Sequence, residues 1–436
     1  MKVVKVGILG LGTVGGGTVN VLQKNQQDIG RRTGCKIIVT RASARDVTRP
    51  RICSTDGIQL TTNPKEIIND PEIQIILELM GGEEPAKSLI IQSLKQGKHV
   101  VTANKALIAN HGNELFEIAA ENNVVLAYEA AIAGGIPIVK AMREGLSGNS
   151  IEWLSGIING TGNFILTEMR DKGSAFADVL KEAQELGYAE ADPEYDVEGI
   201  DAAHKLCILA SLAFGIPLNF KKVYTEGISK ITPLDVTYAE ELGYRIKHLG
   251  VAKKTDVGVE MRVHLTLIPE NRLIANVDGV MNAVLVKGNA VGPTLYYGPG
   301  AGADATGSAV VADIVDLCRQ IDSPAEQRVP PLGFASNELK ELPILLIEEV
   351  TTAFYLRLSV EDKPGVMAAI TTILADNGIS IEAVLQKELK QHGANTHVIL
   401  LTDSVVEKSL LSALSEIESL SSINEPAIRI RVESLQ

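Results

Sequence analysis

The feature that most constrains how this chain can fold is a glycine-rich turn after its first apolar segment. The run VVKVGIL at 3–9 overlaps with GILGLGTVGGG, in which residues 10–15 have G-x-G-x-x-G spacing. Apolar residues at helical spacing follow, so the pattern predicts a strand, a tight turn and a helix. Glycines let the main chain approach a pyrophosphate, whose charge is stabilised at the helix N-terminus. The sequence therefore predicts a dinucleotide site with contacts from Gly10, Leu11, Gly12, Thr13, Val14 and Gly15.

Apolar runs in the first 130 residues predict the architecture around this turn. Segments of helical periodicity separate runs at 3–9, 36–40, 73–79, 99–103 and 124–130. Runs that are apolar on both faces are typical of parallel strands covered by helices on both sides. We therefore predict a Rossmann-like, doubly wound α/β domain at 1–130, completed by a returning helix at about 303–320 that follows a second glycine cluster.

The rest of the chain predicts two further units. Strands of alternating polarity, such as EMRVHLTLI at 260–268, occur with long helices and indicate a mostly antiparallel α+β domain at 131–302, with helices on one face. Residues 319–349 hold several prolines without periodicity, which predicts a linker. Residues 350–436 have the strand and helix order βαββαβ of a ferredoxin-like unit, with a hairpin loop at KQHGAN.

The composition excludes several classes of partner. The net charge is −13 and no lysine- or arginine-rich run occurs, so neither nucleic acid nor an anionic membrane is expected to bind. No apolar run approaches the roughly 20 residues of a membrane-spanning helix. The four cysteines form no C-x-x-C pair, which is typical of a reducing compartment and argues against a zinc cluster. These features predict a cytoplasmic protein that acts on a small molecule.

An acidic stretch before a lysine indicates a second site. AEADPEYDVEGIDAAHKL at 189–206 holds six carboxylates up to Asp201, which lies one helical turn before Lys205. A solvated acidic loop with a weak surface ion pair is one interpretation. The helix continues HKLCILASLAF, however, and its apolar residues predict burial. A buried Asp–Lys pair beside a pocket can transfer protons, and the remaining acids, Glu190 and Asp196 first, would then face a cationic group such as an ammonium. His204 is expected to have a packed or solvent-facing role.

The residues after the second apolar run bear on the choice of nicotinamide cofactor. An enzyme that uses NAD usually ends this strand with an acid that binds the ribose 2′-hydroxyl, whereas an arginine accommodates the 2′-phosphate of NADP. After KIIVT at 36–40 the chain has Arg41 and Arg45 before the first acid, Asp46. The sequence predicts a preference for NADP, with NAD as the alternative.

The acidic stretch also carries a family resemblance. YAEADPEYDVEGIDAAHKLCILA at 188–210 resembles the signature of the homoserine dehydrogenases. The resemblance extends over most of the chain, through GILGLGTVG, ELMGG, VVTANKALIA, YEAAIAGGIPI, SGIINGTGNFILTEM and GPGAG. It implies reversible hydride transfer between a nicotinamide and the carbon that is an aldehyde in L-aspartate 4-semialdehyde and an alcohol in L-homoserine. The C-terminal unit, with VEDKPGV at 360–366, resembles an ACT domain.

The resemblance also implies residue roles. Lys205 is the general acid/base at the reacting oxygen, and Lys105 is a second cation near that oxygen and the nicotinamide. Asp201 orients Lys205 or the substrate, and Glu190 binds the substrate ammonium. The substrate pocket is completed by Asp196, Tyr188, Gly160 and Thr161, and further cofactor contacts come from Arg45, Lys105 and Gly302.

A cation site and regulation are implied in the same way. The turn EAAIAGGIP implies a monovalent cation such as Na⁺, bound mainly by main-chain carbonyls at Glu129, Ile132, Gly134 and Ile136, although any tight glycine turn offers such oxygens. The ACT-like unit implies feedback inhibition by L-threonine, with a purely structural dimerisation module as the alternative. Both the antiparallel unit and the ACT-like unit favour a homo-oligomer.

The chain departs from the family pattern at two places, and its residues disfavour two other functions. Gly162 stands where the family usually has a second threonine, and ADATGSAV at 303–310 replaces a Pro-Thr-Ala run. Aspartate semialdehyde dehydrogenase is disfavoured because it needs a histidine-activated thiolate, whereas Cys207 lies in an apolar helix and the other cysteines lack the required context. A regulatory sensor without catalysis is disfavoured because the acids and lysines of the site are all retained.

Overall fold

The computed structural model describes residues 1–324, 327–386 and 395–435. Its strands are β1 (Lys2–Leu9), β2 (Cys35–Ser43), β3 (Gln59–Thr61), β4 (Ile75–Glu78), β5 (His99–Thr102), β6 (Leu126–Ala127), β7 (Ile151–Ile157), β8 (Tyr224–Thr225), β9 (Tyr244–Lys254), β10 (Val259–Pro269), β11 (Met281–Gly288), β12 (Gly292–Pro299), β13 (Thr351–Glu361), β14 (Ile381–Gln386), β15 (Asn395–Thr402), β16 (Val405–Val406) and β17 (Ile428–Val432).

The α-helices are α1 (Thr13–Lys24), α2 (Gln26–Thr33), α3 (Pro64–Ile68), α4 (Ala86–Lys95), α5 (Lys105–Glu121), α6 (Ile138–Lys140), α7 (Gly160–Lys172), α8 (Phe176–Glu185), α9 (Glu194–Val197), α10 (Ile200–Phe214), α11 (Pro233–Glu241), α12 (Ala303–Gln320), α13 (Val366–Asp376) and α14 (Glu407–Glu418). A π-helical turn follows α6 at Ala141–Gly145, and 3-10 turns lie at Glu129–Ala131, Phe220–Lys222, Leu273–Asn276, Ser336–Glu338 and Ile347–Glu349.

The first sheet confirms the predicted doubly wound fold. Its strands are parallel and lie in the order β3-β2-β1-β4-β5-β6. Helix α12 packs against α1 so closely that a Cβ atom on Gly17 would lie 2.0 Å from the carbonyl oxygen of Ala303. Glycine at this position therefore permits the contact between the two helices.

Two details of this sheet differ from the prediction. The apolar run at 124–130 forms only the two-residue strand β6 and then turns, because the amide of Glu129 donates to Asp313 Oδ2 on α12 (2.8 Å) rather than to a neighbouring strand. Strand β3 lacks an apolar run, since it is a short, partly exposed strand at the sheet edge.

A second, larger sheet joins the middle of the chain to its C-terminal unit. Its order is β12-β11-β7-β9-β10-β17-β13-β15-β14. The pairs from β12 to β10 are antiparallel, as predicted, but β10 then pairs in parallel with β17 of the C-terminal βαββαβ unit. The hairpin loop predicted at KQHGAN lies outside the described residues, except that Asn395 begins β15.

The alternating pattern of β10 does not produce an exposed polar face. Glu260, Arg262 and His264 are all buried. Arg262 Nη2 donates to Glu260 Oε2 (3.1 Å) and to Glu433 Oε1 (2.7 Å), and Arg262 Nη1 is 2.8 Å from His264 Nε2. A guanidinium with several donors can satisfy these neighbours, so the polar face is covered without leaving its charges unpaired.

The segment predicted as a linker is packed against both of the units that precede it. Tyr128 Oη donates to the carbonyl of Pro331 (2.5 Å), and Lys340 N donates to the carbonyl of Gly215 (2.9 Å). Main-chain hydrogen bonds further join Val259 to Pro343 and Leu345. The described part of 319–349 is therefore a docked connection rather than a free tether.

Buried ion pairs strengthen the attachment of the C-terminal unit. Arg357 Nε on β13 is 2.6 Å from Asp235 Oδ1 on α11, and Asp235 is fully buried. Arg431 on β17 contacts both Glu407 of its own unit (2.5 Å) and Glu226 (3.0 Å) beyond it.

None of the helices in the described ranges combines the length and apolarity needed to cross a bilayer.

Candidate active site

A cavity of about 550 Å³ is lined on one side by residues of α1 and α5, which follow strands of the parallel sheet, and on the other by residues of α7, α10, β11 and β12. It contains most of the substrate and acid/base residues that the sequence predicts. The lining side chains and glycines relevant here are Val14, Lys105, Asn159, Gly160, Thr161, Tyr188, Asp196, Asp201, Lys205, Asn282, Gly302 and Thr306.

The centre of the site is one carboxylate shared by two lysines. Asp201, at the start of α10, is buried, and its Oδ2 accepts a hydrogen bond from Lys205 Nζ (2.6 Å). Its Oδ1 lies 2.9 Å from Lys105 Nζ. Lys205 Nζ also donates to the carbonyl of Ile158 (2.6 Å). The predicted Asp–Lys pair is therefore part of a triad that joins α5 to α10, in which Asp201 and Lys205 are buried and Lys105 is half-buried.

The environment shifts the pKa values of these groups in different directions. Burial would raise the pKa of Asp201, but the two ammonium groups outweigh burial and hold that pKa well below its usual range. Burial lowers the pKa of Lys205, and the positive charge of Lys105 lowers it further, against the opposing effect of Asp201. Burial also acts to lower the pKa of Lys105, but Asp201 outweighs it and raises that pKa. Of the two lysines, Lys205 is therefore the one that more readily loses a proton.

Lys105 is positioned by its helix and by an aromatic ring. It begins α5, whose N-cap Asn104 accepts a hydrogen bond from the amide of Leu107. Lys105 Nζ lies 5.8 Å from the ring centroid of Tyr195. Tyr195 Oη is 2.8 Å from His204 Nδ1, so the buried His204 packs behind the lysine through this tyrosine.

Asn159 is a site residue that the sequence reasoning missed. Its Oδ1 caps α7 by accepting from the amide of Gly162 (2.6 Å). Its Nδ2 donates to Asp196 Oδ1 (2.8 Å) and Asp201 Oδ2 (2.9 Å), which ties two carboxylates of the acidic stretch together. Asparagine is a preferred N-cap residue, so Asn159 itself is the sequence signal from which the first of these contacts could have been predicted.

The acidic stretch is only partly assembled in the cavity. Asp196, on α9, lines it, and burial raises the pKa of Asp196. Thr161 Oγ1 donates to the carbonyl of Tyr188 (2.7 Å), so two further predicted residues border the same space. Glu190 is exposed and does not line the cavity. Of the six acids at 190–201, the fold thus brings Asp196 and Asp201 to the cavity.

The glycine-rich turn has the geometry that a pyrophosphate needs. Gly10 has φ +100°, and a Cβ atom there would lie 2.7 Å from the carbonyl oxygen of Leu79. A Cβ atom on Gly15 would lie 2.4 Å from the carbonyl oxygen of Gly10. Helix α1 begins at Thr13 without a side-chain cap, so amides at its N-terminus are available to an anion.

A second cavity of about 600 Å³ extends from this turn past the end of β2. Strand β2 continues to Ser43, so Arg41 lies within it and pairs with Asp70 (2.9 Å). The carboxylate of Asp46 accepts from the amide and hydroxyl of Thr48. Arg45 and Arg49 line this cavity together with Gly10, Leu11 and Gly12.

The turn predicted to hold a cation is tightly folded. Gly134 has φ +49°, and a Cβ atom there would lie 2.5 Å from the carbonyl oxygen of Gly300. Both carboxylate oxygens of Glu129 accept main-chain hydrogen bonds from Val139 and Lys140 (2.9 Å each). Among the described residues no group of three or more His, Cys, Asp or Glu side chains could hold a metal. A cation here would therefore depend on main-chain carbonyls.

Comparison with known proteins identifies the family. The family model described as homoserine dehydrogenase matches residues 137–315, and the model of its NAD-binding domain matches 10–129. Homoserine dehydrogenase from Pseudomonas aeruginosa is 58% identical over 436 residues, which cover 100% of both chains. The chain belongs to the homoserine dehydrogenase family.

Solved structures of homoserine dehydrogenases agree with this assignment. One from Thiobacillus denitrificans has a TM-score of 0.95 and 57% identity, covering 100% of this chain and 99% of that one. A hyperthermophilic archaeal homoserine dehydrogenase in complex with NADPH has a TM-score of 0.61 and 26% identity, covering 72% of this chain and 97% of that one. The ACT domain model matches residues 354–422, which confirms the predicted C-terminal unit. This homoserine dehydrogenase family member is an oxidoreductase that binds a nicotinamide cofactor.

The shared carboxylate leads to a prediction about Lys205. Replacing Asp201 by asparagine keeps the shape of the side chain but removes its negative charge, which raises the pKa of Lys205 against the lowering effect of burial. We therefore expect the pKa of Lys205 to fall further in this variant. Its neutral form would then persist to lower pH. The measurement is the pH dependence of lysine acetylation by a trace reagent, read residue by residue by mass spectrometry.

Lys98 provides the internal control for this titration. It donates to the carbonyls of Asp70 and Ile73 and makes no contact with Asp201, so its acetylation profile should not change. An unchanged profile for Lys205 in Asp201→Asn would contradict the electrostatic account.

Proposed function

We propose that this chain catalyses the reversible NADP-linked interconversion of L-homoserine and L-aspartate 4-semialdehyde, in the biosynthesis of threonine, methionine and isoleucine. The observation that carries the proposal is the Asp201 carboxylate, buried between Lys105 and Lys205 in a cavity that also reaches Val14 of the glycine-rich turn. This arrangement supports an acid/base role for Lys205 beside the start of the cofactor site.

Lys205 is the proposed proton carrier. The bound nicotinamide supplies or accepts the hydride at its C4 atom. In the oxidation of homoserine, neutral Lys205 takes the proton of the substrate hydroxyl, which is on C4 of homoserine. In the reduction of the aldehyde, the protonated amine of Lys205 returns this proton to the same oxygen. The lowered pKa of Lys205 makes its neutral form accessible, whereas Lys105, with its raised pKa, stays charged and stabilises the developing alkoxide. Asp201 positions both amines.

The amino-acid end of the substrate fits the part of the cavity wall formed by the start of α7, next to Asn159 and Asp201. Gly160 and Thr161 begin α7, and we propose that their amides bind the substrate carboxylate at this helix N-terminus. Asp196 and Tyr188 border the same space and would surround the ammonium. We assign Glu190 to the ammonium as well, which requires the segment after Tyr188 to move toward the cavity when substrate binds.

The first test measures the reaction itself. Purified protein mixed with L-homoserine and NADP at alkaline pH should form NADPH, followed by its absorbance. Lys205→Ala should lower kcat by about 10²- to 10⁴-fold, because the proton transfer loses its positioned base.

A matched control separates this effect from the loss of any buried lysine. Lys98→Met removes a buried lysine directly before β5, at the amino end of a strand whose carboxyl end leads to Lys105, and should leave kcat close to that of the parent. Absence of turnover in the parent protein, with cofactor binding intact, would instead support the non-catalytic sensor.

We further propose that NADP is preferred to NAD. Arg45 and Arg49 are exposed cations that line the cavity beyond β2. Asp46 lines it as well, but its Oδ1 already accepts hydrogen bonds from the amide and hydroxyl of Thr48. A 2′-phosphate would therefore meet positive charge at the point where NAD-specific enzymes place an acid.

Replacing Arg45 by alanine tests this preference. We expect KM for NADP to rise about tenfold, which corresponds to the loss of one exposed charge-assisted hydrogen bond, with KM for NAD unchanged. Arg31→Ala removes an exposed arginine paired with Asp28 on α2 and serves as the control. Equal effects of Arg45→Ala on both cofactors, or a parent enzyme that prefers NAD, would refute the assignment.

We also propose that a monovalent cation such as Na⁺ binds at the 129–136 turn, through the main-chain oxygens of Glu129, Ile132, Gly134 and Ile136. Two observations support this proposal. The turn at Gly134 is tight, and the Glu129 carboxylate already accepts hydrogen bonds from the amides of Val139 and Lys140, so main-chain carbonyl oxygens remain as ligands for the cation. Such a cation would hold the turn that borders the cavity. Exchange of Na⁺ for tetramethylammonium in the homoserine assay measures its contribution.

Regulation by L-threonine is proposed for the ACT domain. A route for its effect exists in the contacts of Arg431, which pairs with Glu226. The neighbouring Gly227 packs against Val197, and the amide of Ile228 donates to the Val197 carbonyl (2.9 Å). Val197 ends α9, directly before the helix that carries Asp201 and Lys205.

A point substitution tests this regulation better than truncation, because removing 350–436 would expose the core that Tyr355 and Ile430 share with Leu267. We expect L-threonine to inhibit the parent enzyme and Glu226→Gln to require several-fold more threonine, with unchanged kcat in its absence. Glu433→Gln weakens a different ionic contact of the same unit, with Arg262, and is the control. No inhibition by threonine in the parent would favour a structural role.

Finally, we propose that cofactor binding resides in 1–130 with α12, substrate binding and dimerisation in 131–302, and effector binding in 350–436. The ranges matched by the three family models support this division.

We also propose a homo-oligomer. It is supported by exposed apolar side chains on the terminal strands of the large sheet, Tyr297 on β12 and Val384 on β14, and light scattering would give its mass. The four free, buried cysteines fit a cytoplasmic location, which fractionation would test.

A further inference from the structure

Asn282 is a buried polar residue of the cavity wall that makes no hydrogen bond with the carboxylate of Asp201 or its two lysines. It is the second residue of β11, only 1% exposed, and its carboxamide lies between two glycines. A Cβ atom on Gly300 would lie 2.2 Å from Asn282 Cγ, and one on Gly160 would lie 3.6 Å from Asn282 Oδ1. The space for this carboxamide therefore depends on the absence of a side chain at Gly300.

The oxygen of this carboxamide has no partner. Asn282 Oδ1 is buried and accepts no hydrogen bond from any of the described residues. The other asparagines of the region differ, since Asn159 bonds Gly162, Asp196 and Asp201, and Asn163 Nδ2 donates to three carbonyls of the 277–281 loop. Buried polar atoms are almost always hydrogen-bonded, so an unpaired acceptor in a cavity wall indicates a donor that arrives with a ligand.

We propose that Asn282 Oδ1 accepts a hydrogen bond from an N–H group of the bound ligand. This inference rests on the proposed function, which provides two such donors: the α-ammonium of the amino-acid substrate and the carboxamide of the nicotinamide. The contact with Gly160 lies on the side proposed for the substrate, and Gly300 precedes Gly302 on the cofactor side. Both lysines of the site already donate to Asp201, so a ligand N–H is the donor that fits this position.

Two substitutions test the role of the oxygen. Asn282→Leu keeps the approximate shape but removes the acceptor, whereas Asn282→Asp keeps an acceptor in place. Steady-state kinetics give KM for homoserine, and titration of NADPH fluorescence gives the cofactor Kd without turnover. Val284→Ala, on the same face of β11 but in the apolar core, is the control for a general loss of packing.

We expect Asn282→Leu to weaken one ligand by at least about tenfold, with Asn282→Asp close to the parent. A higher KM for homoserine with unchanged NADPH Kd identifies the substrate ammonium, and the reverse identifies the nicotinamide carboxamide. The inference is overturned if Asn282→Leu changes both constants less than twofold. It is also overturned if Asn282→Asp weakens ligand binding as much as Asn282→Leu does. If Asn282→Leu does not fold, Asn282→Asp decides alone: parent-like constants support the acceptor and weakened binding rejects it.

The same measurements separate this inference from the proposed function. Absence of homoserine turnover in the parent would reject the reaction. The NADPH titration of Asn282→Leu would still decide the cofactor arm, and a titration with homoserine, read by the shift in melting temperature, would decide the substrate arm. An unchanged affinity in both titrations would reject a role for the oxygen whatever the reaction is.

Discussion

The carboxylate of Asp201, buried between the ammonium groups of Lys105 and Lys205, is the interaction on which the rest of the site depends. Isolated in a protein interior, each of these charges would be costly. Together with the amide of Asn159 they satisfy one another, and in doing so they join α5 of the parallel-sheet domain to α10 of the second domain. This contact between domains therefore keeps Lys205, the proposed proton carrier, in the cavity that the cofactor turn borders.

The same principle governs how the ACT domain is attached. Its sheet continues that of the middle domain, and the junction holds the buried partners Arg357 and Asp235 as well as the contact of Arg431 with Glu226. Loss of one partner of a buried pair leaves the other charge without compensation, which is far more costly than loss of a surface pair. The ACT domain is therefore joined to the middle domain through contacts that do not separate freely.

Local patterns explain which predictions succeeded. The parallel-sheet fold was predicted correctly from the glycine spacing at 10–15 and the apolar runs at 3–9, 36–40, 73–79 and 99–103. This was possible because the residues of one short segment determine the geometry of a turn and whether a strand is buried on both faces. The run at 124–130 failed as a strand because a contact from Asp313, far along the chain, captures the amide of Glu129. The alternation in β10 was real, yet its polar face is buried, since its coverage depends on strands and side chains from the C-terminal unit such as Glu433.

The sequence by itself determined the units of this protein, the glycine turn, and the presence of Asp201 one helical turn before Lys205, since each of these depends on residues close together in the chain. Only the tertiary structure decided that Lys105 would share the same carboxylate, that Asn159 would bind two acids of one stretch, and that Glu190 would lie outside the cavity. It also left the oxygen of Asn282 unpaired beside Gly300. The physical reason is that burial and hydrogen bonding of these groups are set by packing between segments distant in sequence, on which local periodicity carries no information.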